Sequence, residues 1–265
     1  MKKVMITVAY DGTRYCGWQI QHNGNTIEAE LNHHLSELLA EPIHVIGASR
    51  TDSGVHAEGN VAVFTTSARM DPRRISFAMN TRLPEDIRIV DSREVPETFH
   101  PRRCHSVKTY RYQILNRTFP DPIRRLYTLF YHWPLDVERM RQAAACLVGE
   151  HDFTTFCTDR PDQLTHVRTI YALEIEQDGP LITLTISGSG FLYNMVRIIV
   201  GTLLLVGSGR MSPGEMEAAL LARDRSRAGD TARPEGLTLV GIEYPPELLE
   251  LPARQPEPDE IPDHP

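Results

Sequence analysis

A single charged residue interrupts the most apolar stretch of this chain. Over residues 191–205 the only charge is Arg197. If this segment forms a helix in the core, burying an unpaired guanidinium costs several kcal/mol. The fold must therefore place a carboxylate from a distant segment beside Arg197, or let the side chain extend along its own length to the surface.

The carboxylate that we expect beside Arg197 belongs to Asp52. It lies in a loop between predicted strands at residues 44–49 and 61–66, with the sequence Gly47-Ala48-Ser49-Arg50-Thr51-Asp52-Ser53-Gly54-Val55-His56-Ala57. Glycines and small side chains allow such a loop to present one side chain to a cleft. Because Asp and Gly are also common in purely structural turns, the loop alone does not identify a site. The need for a partner of Arg197 favours a functional Asp52.

The charge of the chain is unevenly distributed. The net charge is −7, but residues 243–265 hold seven acidic residues and one Arg, which leaves −1 for the first 242 residues. Residues 102–125 form a basic cluster that contains one acidic residue, Asp121, and seven cations: Arg102, Arg103, Lys108, Arg111, Arg117, Arg124 and Arg125. Such a cluster can neutralise phosphates even when the total charge is negative, although it can equally be a solvated surface.

Tyr110 lies inside this basic cluster, in Lys108-Thr109-Tyr110-Arg111-Tyr112 on a predicted strand. Tyrosines among Lys and Arg suit nucleic acid, because the rings stack on unpaired bases while the cations hold phosphates. Alternation along the strand puts Tyr110 and Tyr112 on the same face as Ile114, so core packing alone also explains both rings.

Apolar periodicity and turn residues predict alternating strands and helices. Strands are expected over residues 3–10, 44–49, 61–66, 87–91, 107–115, 167–176, 181–188 and 237–244. Helices are expected after the capping residues Thr26, Asp71 and Ser212, and over residues 136–147 and 191–206. This mixture predicts an α+β protein with two similar-sized lobes, at residues 1–104 and 105–245, and a disordered, acidic, proline-rich tail at residues 246–265.

No motif in the sequence predicts a cofactor, a metal site or a membrane span. There is no Gly-Lys-Ser/Thr phosphate loop and no dinucleotide fingerprint after a strand. His100, Cys104 and His105 are close in sequence, but neighbouring positions on a strand point to opposite faces, so we expect no metal there. The longest apolar run, residues 198–206, is too short to cross a bilayer. The four cysteines show no paired spacing, so we expect a cytoplasmic protein.

Several segments together resemble the TruA type of tRNA pseudouridine synthases, over most of the chain. The shared motifs, in the family's order, are Tyr10-Asp11-Gly12-Thr13, Gly17-Trp18-Gln19, the loop around Asp52, Lys108-Thr109-Tyr110-Arg111-Tyr112, Gly149-Glu150-His151-Asp152-Phe153, residues 191–201 and Gly236-Leu237. The chain departs from the family pattern at Ser49 and Ser53, where Gly and Ala are more usual, at Arg233, where Ala is more usual, and in the acidic tail.

The resemblance implies a pseudouridine synthase fold, in which two pseudo-symmetric lobes of mixed, mainly antiparallel sheet, flanked by helices, enclose an active-site cleft. It implies isomerisation of uridine in the anticodon arm of tRNA, at positions 38 to 40, by a homodimer and without a cofactor. It makes Asp52 the nucleophile, Tyr110 the residue that stacks on the target base and Arg197 the partner of Asp52. It gives Arg50 a role in base flipping and in ordering the active site.

The chemistry requires an ionised carboxylate, whether Asp52 attacks C6 of the ring, attacks C1′ or removes the 2′ proton. Arg197 would favour that charged form in a dry site, where burial alone favours the protonated acid. Two other functions remain open from the sequence. A glycosidase also acts at C1′, but it needs two carboxylates, and Glu58 is a weak second candidate. A non-catalytic RNA-binding module would use Tyr110 and the basic cluster alone.

Overall fold

The computed structural model describes residues 1–22, 24–159 and 163–251. Ten strands, β1 to β10, lie within these ranges at Lys2–Tyr10, Ile46–Gly47, His56–Thr66, Ile87–Val95, Val107–Asn116, Leu129–Tyr131, Gly149–Asp152, Val167–Asp178, Leu181–Gly188 and Leu237–Glu243. Five α-helices, α1 to α5, lie at Ile27–Leu39, Pro72–Asn80, Val137–Ala144, Met195–Gly207 and Pro213–Ala222. The predicted α+β class is confirmed.

The strands form one continuous sheet rather than two separate ones. Its order is β4-β1-β3-β10-β5-β9-β8-β7, with β2 paired to β3 and β6 paired to β5. Most neighbours are antiparallel, whereas β10 runs parallel to β3 and antiparallel to β5. The late strand β10 therefore joins the first half of the chain to the second, and the two lobes are the two ends of a shared sheet.

The helices of both lobes pack against one face of this sheet. Each helix contributes fully buried side chains to a single large core, for example Leu31, Met79, Met140, Ile198 and Met216. The opposite face of the first lobe carries a smaller apolar cluster around Val63 and Phe99, which Tyr244 and Leu248 cover.

The helix starts follow the capping residues that the sequence predicts. The side chains of Thr26, Asp71 and Ser212 accept hydrogen bonds from backbone N–H groups in the first turns of α1, α2 and α5. Ser212 and Glu215 complete a capping box. Such caps replace partners that the first N–H groups of a helix lack.

Several predicted elements differ in the structure. The strand predicted over residues 44–49 is reduced to Ile46–Gly47, because the preceding backbone N–H groups donate instead to α1 side chains: Ile43 to Ser36 Oγ (2.9 Å) and Val45 to Asn32 Oδ1 (2.8 Å). The helix predicted from residue 191 begins only at Met195, after a turn. The helix predicted over residues 136–147 is α-helical only over Val137–Ala144 and continues as a 3-10 helix over Ala145–Leu147.

The chain continues as ordered structure into the predicted tail. Pro246–Leu248 form a 3-10 helix, and Leu248 and Leu249 pack on the smaller cluster. The Tyr244 hydroxyl donates to the Pro101 carbonyl (2.8 Å). The rest of the segment predicted to be disordered, residues 252–265, lies outside the described part of the chain.

No helix within the described ranges has both the length and the apolar character required to cross a membrane. All four cysteines are free thiols.

Candidate active site

Buried hydrogen bonds hold the loop that carries Asp52 on both of its sides. The side-chain amide of Asn60, which is fully buried, donates to the Ser49 carbonyl (2.9 Å) and to the Tyr10 hydroxyl (3.2 Å). The Tyr10 hydroxyl is in turn hydrogen-bonded to the Thr51 hydroxyl (2.7 Å). One buried amide on β3 therefore fixes the loop before and after Arg50, which defines where the Asp52 side chain leaves the backbone.

A tight turn directs Asp52 toward the second lobe. The Val55 N–H donates to the Asp52 carbonyl (3.1 Å), and Gly54 takes a φ of +78°, in the left-handed region that favours glycine. The carboxylate is 21% exposed, so it is largely removed from solvent.

Arg197 on α4 meets Asp52 at this point. Its Nη1 donates to Asp52 Oδ2 (3.1 Å) and to Asn194 Oδ1 (3.0 Å), and its Nε donates to the Ala232 carbonyl (2.7 Å). The guanidinium is 15% exposed. A guanidinium has only donors, and here three segments supply acceptors, so the charge that the sequence left unexplained is paired.

A close backbone approach makes the Ala232 contact possible. A Cβ added at Gly201 would lie 1.8 Å from the Asp230 carbonyl oxygen. Because only glycine avoids this clash, Gly201 allows the segment ending at Ala232 to lie directly against α4. The Ala232 N–H also donates to the Arg197 carbonyl (3.1 Å), so backbone and side chain of Arg197 are tied to the same residue.

Tyr110 forms a wall of the same site. It is 7% exposed, and its ring packs edge-on against the Phe191 ring, with 5.2 Å between the ring centroids. Its hydroxyl is hydrogen-bonded to Ser49 Oγ (2.8 Å). Burial raises the pKa of Tyr110 to about 12, the hydrogen bond to Ser49 opposes the rise, and the charge of Asp52 adds to it. The hydroxyl is therefore protonated at neutral pH.

These residues line a cleft between the lobes of about 790 Å³. Among the described residues that line it, Asp52 is the sole carboxylate, whereas the cations are Arg50, Arg102, Arg103, Lys108 and Arg197. A cleft with this imbalance attracts polyanions, and its positive potential is strengthened by the low-dielectric walls. The arrangement offers one paired carboxylate, one aromatic wall and a basic rim.

Lys108, a member of the basic cluster without a separate predicted role, also lines the cleft. Its Nζ donates to the Ala48 carbonyl (2.9 Å), just before the Asp52 loop. Burial, together with the nearby charges of Arg102 and Arg168, lowers the pKa of Lys108 to about 8. Its place in the basic cluster was visible in the sequence, but its burial was not.

The structure brings Asp52, Arg197 and Tyr110 together and places Arg50 on the same cleft. Arg50 is exposed, and its charge adds to the effect of burial in lowering the pKa of Arg102. Tyr112 is buried on the same side of the strand but does not line the cleft; its hydroxyl donates to the Arg233 carbonyl (2.6 Å). Both tyrosines are thus core residues, and only Tyr110 also faces the site.

Two groups of described side chains could hold a metal ion, and neither lines the cleft. They are His33 with His34 and Glu37, and Cys157 with Asp159 and His166. In the second group His166 Nε2 and Asp159 Oδ1 already form a hydrogen bond (3.0 Å).

Comparison with known proteins places these features in a family. A family model described as tRNA pseudouridine synthase matches residues 6–102 and 143–245. The tRNA pseudouridine synthase A of Thermoanaerobacter sp. (strain X514) is 43% identical over 244 residues, which cover 92% of this chain and 100% of the relative. The same enzyme of Brevibacillus brevis is 44% identical with the same coverage. A solved H/ACA RNP bound to a substrate RNA containing 2′-deoxyuridine has a TM-score of 0.37 and 13% identity, covering 76% of this chain and 44% of that one.

Proposed function

The chain belongs to the tRNA pseudouridine synthase family, and from this premise we propose that it isomerises uridine to pseudouridine in tRNA with Asp52 as the nucleophile. The observation that carries the proposal is the Asp52–Arg197 pair, with 3.1 Å between Oδ2 and Nη1, in a cleft whose other charged lining residues are cations. A carboxylate that is paired with an arginine in a basic cleft suits attack on a base within a polyanion.

The reaction breaks the bond from N1 of uracil to C1′ and forms a bond from C5 to C1′. The proton on C5 is lost and N1 gains a proton, so no redox partner or group donor is consumed. Asp52 starts each of the three possible routes, by attack on C6, by attack on C1′ or by removal of the 2′ proton. In each route Arg197 stabilises the charged carboxylate until it reacts.

Access to the bond requires that the target nucleotide leave its helical stack. Flipping a base costs roughly a few kcal/mol, which contacts in the pocket must offset. The ring of Tyr110 provides an apolar surface for the flipped uracil beside Asp52. Arg50, exposed on the same cleft, is placed to hold the distorted phosphate backbone.

We further propose that the target uridines lie in the anticodon arm, at positions 38 to 40, as the family resemblance implies. Pseudouridine mapping after digestion of a treated, unmodified tRNA tests this assignment. We expect product only at uridines of that arm. Transcripts in which those uridines are replaced by cytidine should give no product, and product elsewhere would contradict the assignment.

The resemblance also implies a homodimer, which we propose to act in the cytoplasm. The segment between β5 and α3 exposes four large side chains of the kind that interfaces cover: Phe119 (72%), Ile123 (84%), Tyr127 (46%) and Trp133 (66%). Light scattering of the full chain at assay concentrations tests this. A monomer under those conditions would refute the proposed dimer without affecting the chemistry.

The glycosidase alternative loses support because its second carboxylate is engaged elsewhere. Glu58 lies on β3, is paired with Arg111, and is absent from the described lining of the cleft. A glycosidase would release free uracil, whereas a non-catalytic RNA-binding module would bind tRNA and change nothing. Chromatography of the bases and nucleosides after incubation separates all three functions, and we expect pseudouridine without free uracil.

A further inference from the structure

We propose that Asn194 is a positioning residue for the isomerisation, which holds the Arg197 guanidinium against Asp52. This inference rests on the proposed function, because it assigns Asn194 a part in the same site. Asn194 precedes the first residue of α4, so it occupies the N-cap position of the helix that carries Arg197.

Asn194 does not do what the N-cap residues of the other described α-helices do. Thr26, Asp71, Asp136 and Ser212 each use the side chain to accept a backbone N–H of their own helix. A cap of this kind stabilises a helix by about 1 kcal/mol. The side chain of Asn194 makes no such bond, although Asn is among the best capping residues. A local rule that is broken without local compensation points to another role.

The side-chain amide of Asn194 instead links Arg197 to Thr158. Its Oδ1 accepts from Arg197 Nη1 (3.0 Å), and its Nδ2 donates to Thr158 Oγ1 (3.2 Å). Since a guanidinium can only donate, the atom that faces Arg197 must be the amide oxygen, which leaves the amide nitrogen for Thr158. The Thr158 N–H also donates to the Tyr193 carbonyl (3.1 Å). Two hydrogen bonds therefore connect residues 193–194 to Thr158.

The contact fixes Nη1 of Arg197, which donates to Asp52. Nη1 carries two N–H groups, and it donates both to Asp52 Oδ2 (3.1 Å) and to Asn194 Oδ1 (3.0 Å). The Nε bond to Ala232 fixes the other end of the guanidinium (2.7 Å). Without Asn194 the guanidinium plane is free to rotate about the Nε–Ala232 hydrogen bond, which moves Nη1 away from Asp52.

The backbone at Asn194 is adapted to this geometry. Its φ of 62° and ψ of 4° lie in the left-handed region, which Asn and Gly tolerate better than other residues. Gly at this position therefore removes the amide and keeps the backbone, and Asp keeps the backbone and one acceptor oxygen but adds a charge. These two variants separate the effect of the amide's contact with Arg197 from the effect of the backbone conformation at residue 194.

For Asn194→Gly we expect kcat to fall by about tenfold, with the KM for tRNA within about twofold, because Arg197 is misplaced but the RNA surface is intact. For Asn194→Asp we expect the acid limb of the kcat–pH profile to move up by about one pH unit, since a second carboxylate on Arg197 opposes ionisation of Asp52. Asn194→Ala should show the loss of the Gly variant together with a lower melting temperature.

The outcomes separate this inference from the proposed function. If wild type forms no pseudouridine, the proposed function fails. If wild type is active and Asn194→Gly has wild-type kcat, the positioning role is refuted. Should the Gly variant not fold, Asn194→Asp decides alone: a profile that superimposes on wild type overturns the inference, and a shifted acid limb supports it.

Discussion

Among the described residues, two arginine–carboxylate pairs cross between the lobes, and they differ in their exposure to solvent. Asp52 and Arg197 meet inside the cleft with side chains 21% and 15% exposed, whereas Glu58 and Arg111 meet outside it, 52% and 31% exposed. Both carboxylates come from the segment that forms the Asp52 loop and β3. The charges are alike, so the difference in function that we propose arises from burial and from neighbouring groups.

The two ion pairs also differ in the groups that surround them. Arg197 also binds Ala232 and Asn194, so its guanidinium is fixed, and Asp52 faces a cleft with an aromatic wall. An exposed pair such as Glu58–Arg111 contributes only about 0–1 kcal/mol to stability, because water solvates both groups and salt screens them. If the inner pair, Asp52–Arg197, alone serves catalysis, its substitution should lower activity far more than substitution in the outer pair, Glu58–Arg111.

The largest effect is expected for Asp52→Asn. Loss of a nucleophile should lower kcat by at least about 10⁴-fold. The isosteric amide keeps the loop and the basic rim, so the Kd for tRNA should stay within a few-fold. Rapid-quench measurement of pseudouridine with a filter-binding assay checks both quantities. Normal turnover by this variant would remove Asp52 from the mechanism.

The second-largest effect is expected for substitutions of Arg197, the partner of Asp52. Arg197→Lys and Arg197→Met should lower kcat by about 10²-fold, because the carboxylate loses a fixed positive charge. The Met variant should also lose about 1–3 kcal/mol of unfolding free energy, since the acceptors of Arg197 are left unpaired. Urea unfolding and single-turnover rates measure the two losses. An unchanged rate in both variants would show that Arg197 does not support Asp52.

At Tyr110 the ring and the hydroxyl can be separated. Tyr110→Ala should cost about 1–3 kcal/mol of transition-state stabilisation through lost stacking, and Tyr110→Phe much less. Ser49→Ala is the matched control, because it removes the same hydrogen bond from the other side. Comparison of kcat/KM for the three variants decides between the roles. Equal losses for Phe and Ala would assign the effect to the hydroxyl.

A smaller, pH-dependent effect is expected at Lys108. Because the pKa of Lys108 is lowered to about 8, the side chain is charged at pH 7 and mostly neutral at pH 9. The cleft thus loses a positive charge as the pH rises, and the KM for tRNA should increase by about fivefold between these values. Lys108→Met should show a raised KM at pH 7 and a flatter dependence. Parallel curves for both proteins would contradict the assignment.

The smallest effect is expected for the outer pair. Glu58→Gln should keep kcat and KM within about twofold of wild type, because an exposed pair contributes little. Steady-state kinetics on the same tRNA measure this. A loss comparable to that of Asp52→Asn would restore the two-carboxylate mechanism of a glycosidase.

The inner pair could be predicted because its signal in the sequence was energetic. One cation in an apolar helix requires a partner wherever the chain supplies it, and the Asp52 loop offered a carboxylate at a turn. The contributions of Asn194 and Lys108 could not be predicted in this way. They depend on a left-handed backbone residue and on a side chain that reaches back to a carbonyl, and neither leaves a periodic pattern.

In the fold, too, features set by local interactions could be predicted, whereas pairing between distant segments could not. Caps at Thr26, Asp71 and Ser212 were predictable because they satisfy local hydrogen bonds, and the strand Leu181–Gly188 was predictable from its alternation. The joining of both lobes through β10 was not, because it depends on pairing between distant segments. The helix predicted from residue 191 starts late because apolar residues also fill the turn before Asn194, where Phe191 packs on Tyr110.

The most direct test of the central claim uses unmodified tRNA that carries tritium at C5 of uracil. Wild type and Asp52→Asn are incubated with it in parallel, and tritium in water, pseudouridine and free uracil are counted. We predict one tritium released per pseudouridine formed by wild type, no free uracil, and neither product from the variant. Tritium release by Asp52→Asn at the wild-type rate, or free uracil in place of pseudouridine, would contradict the account.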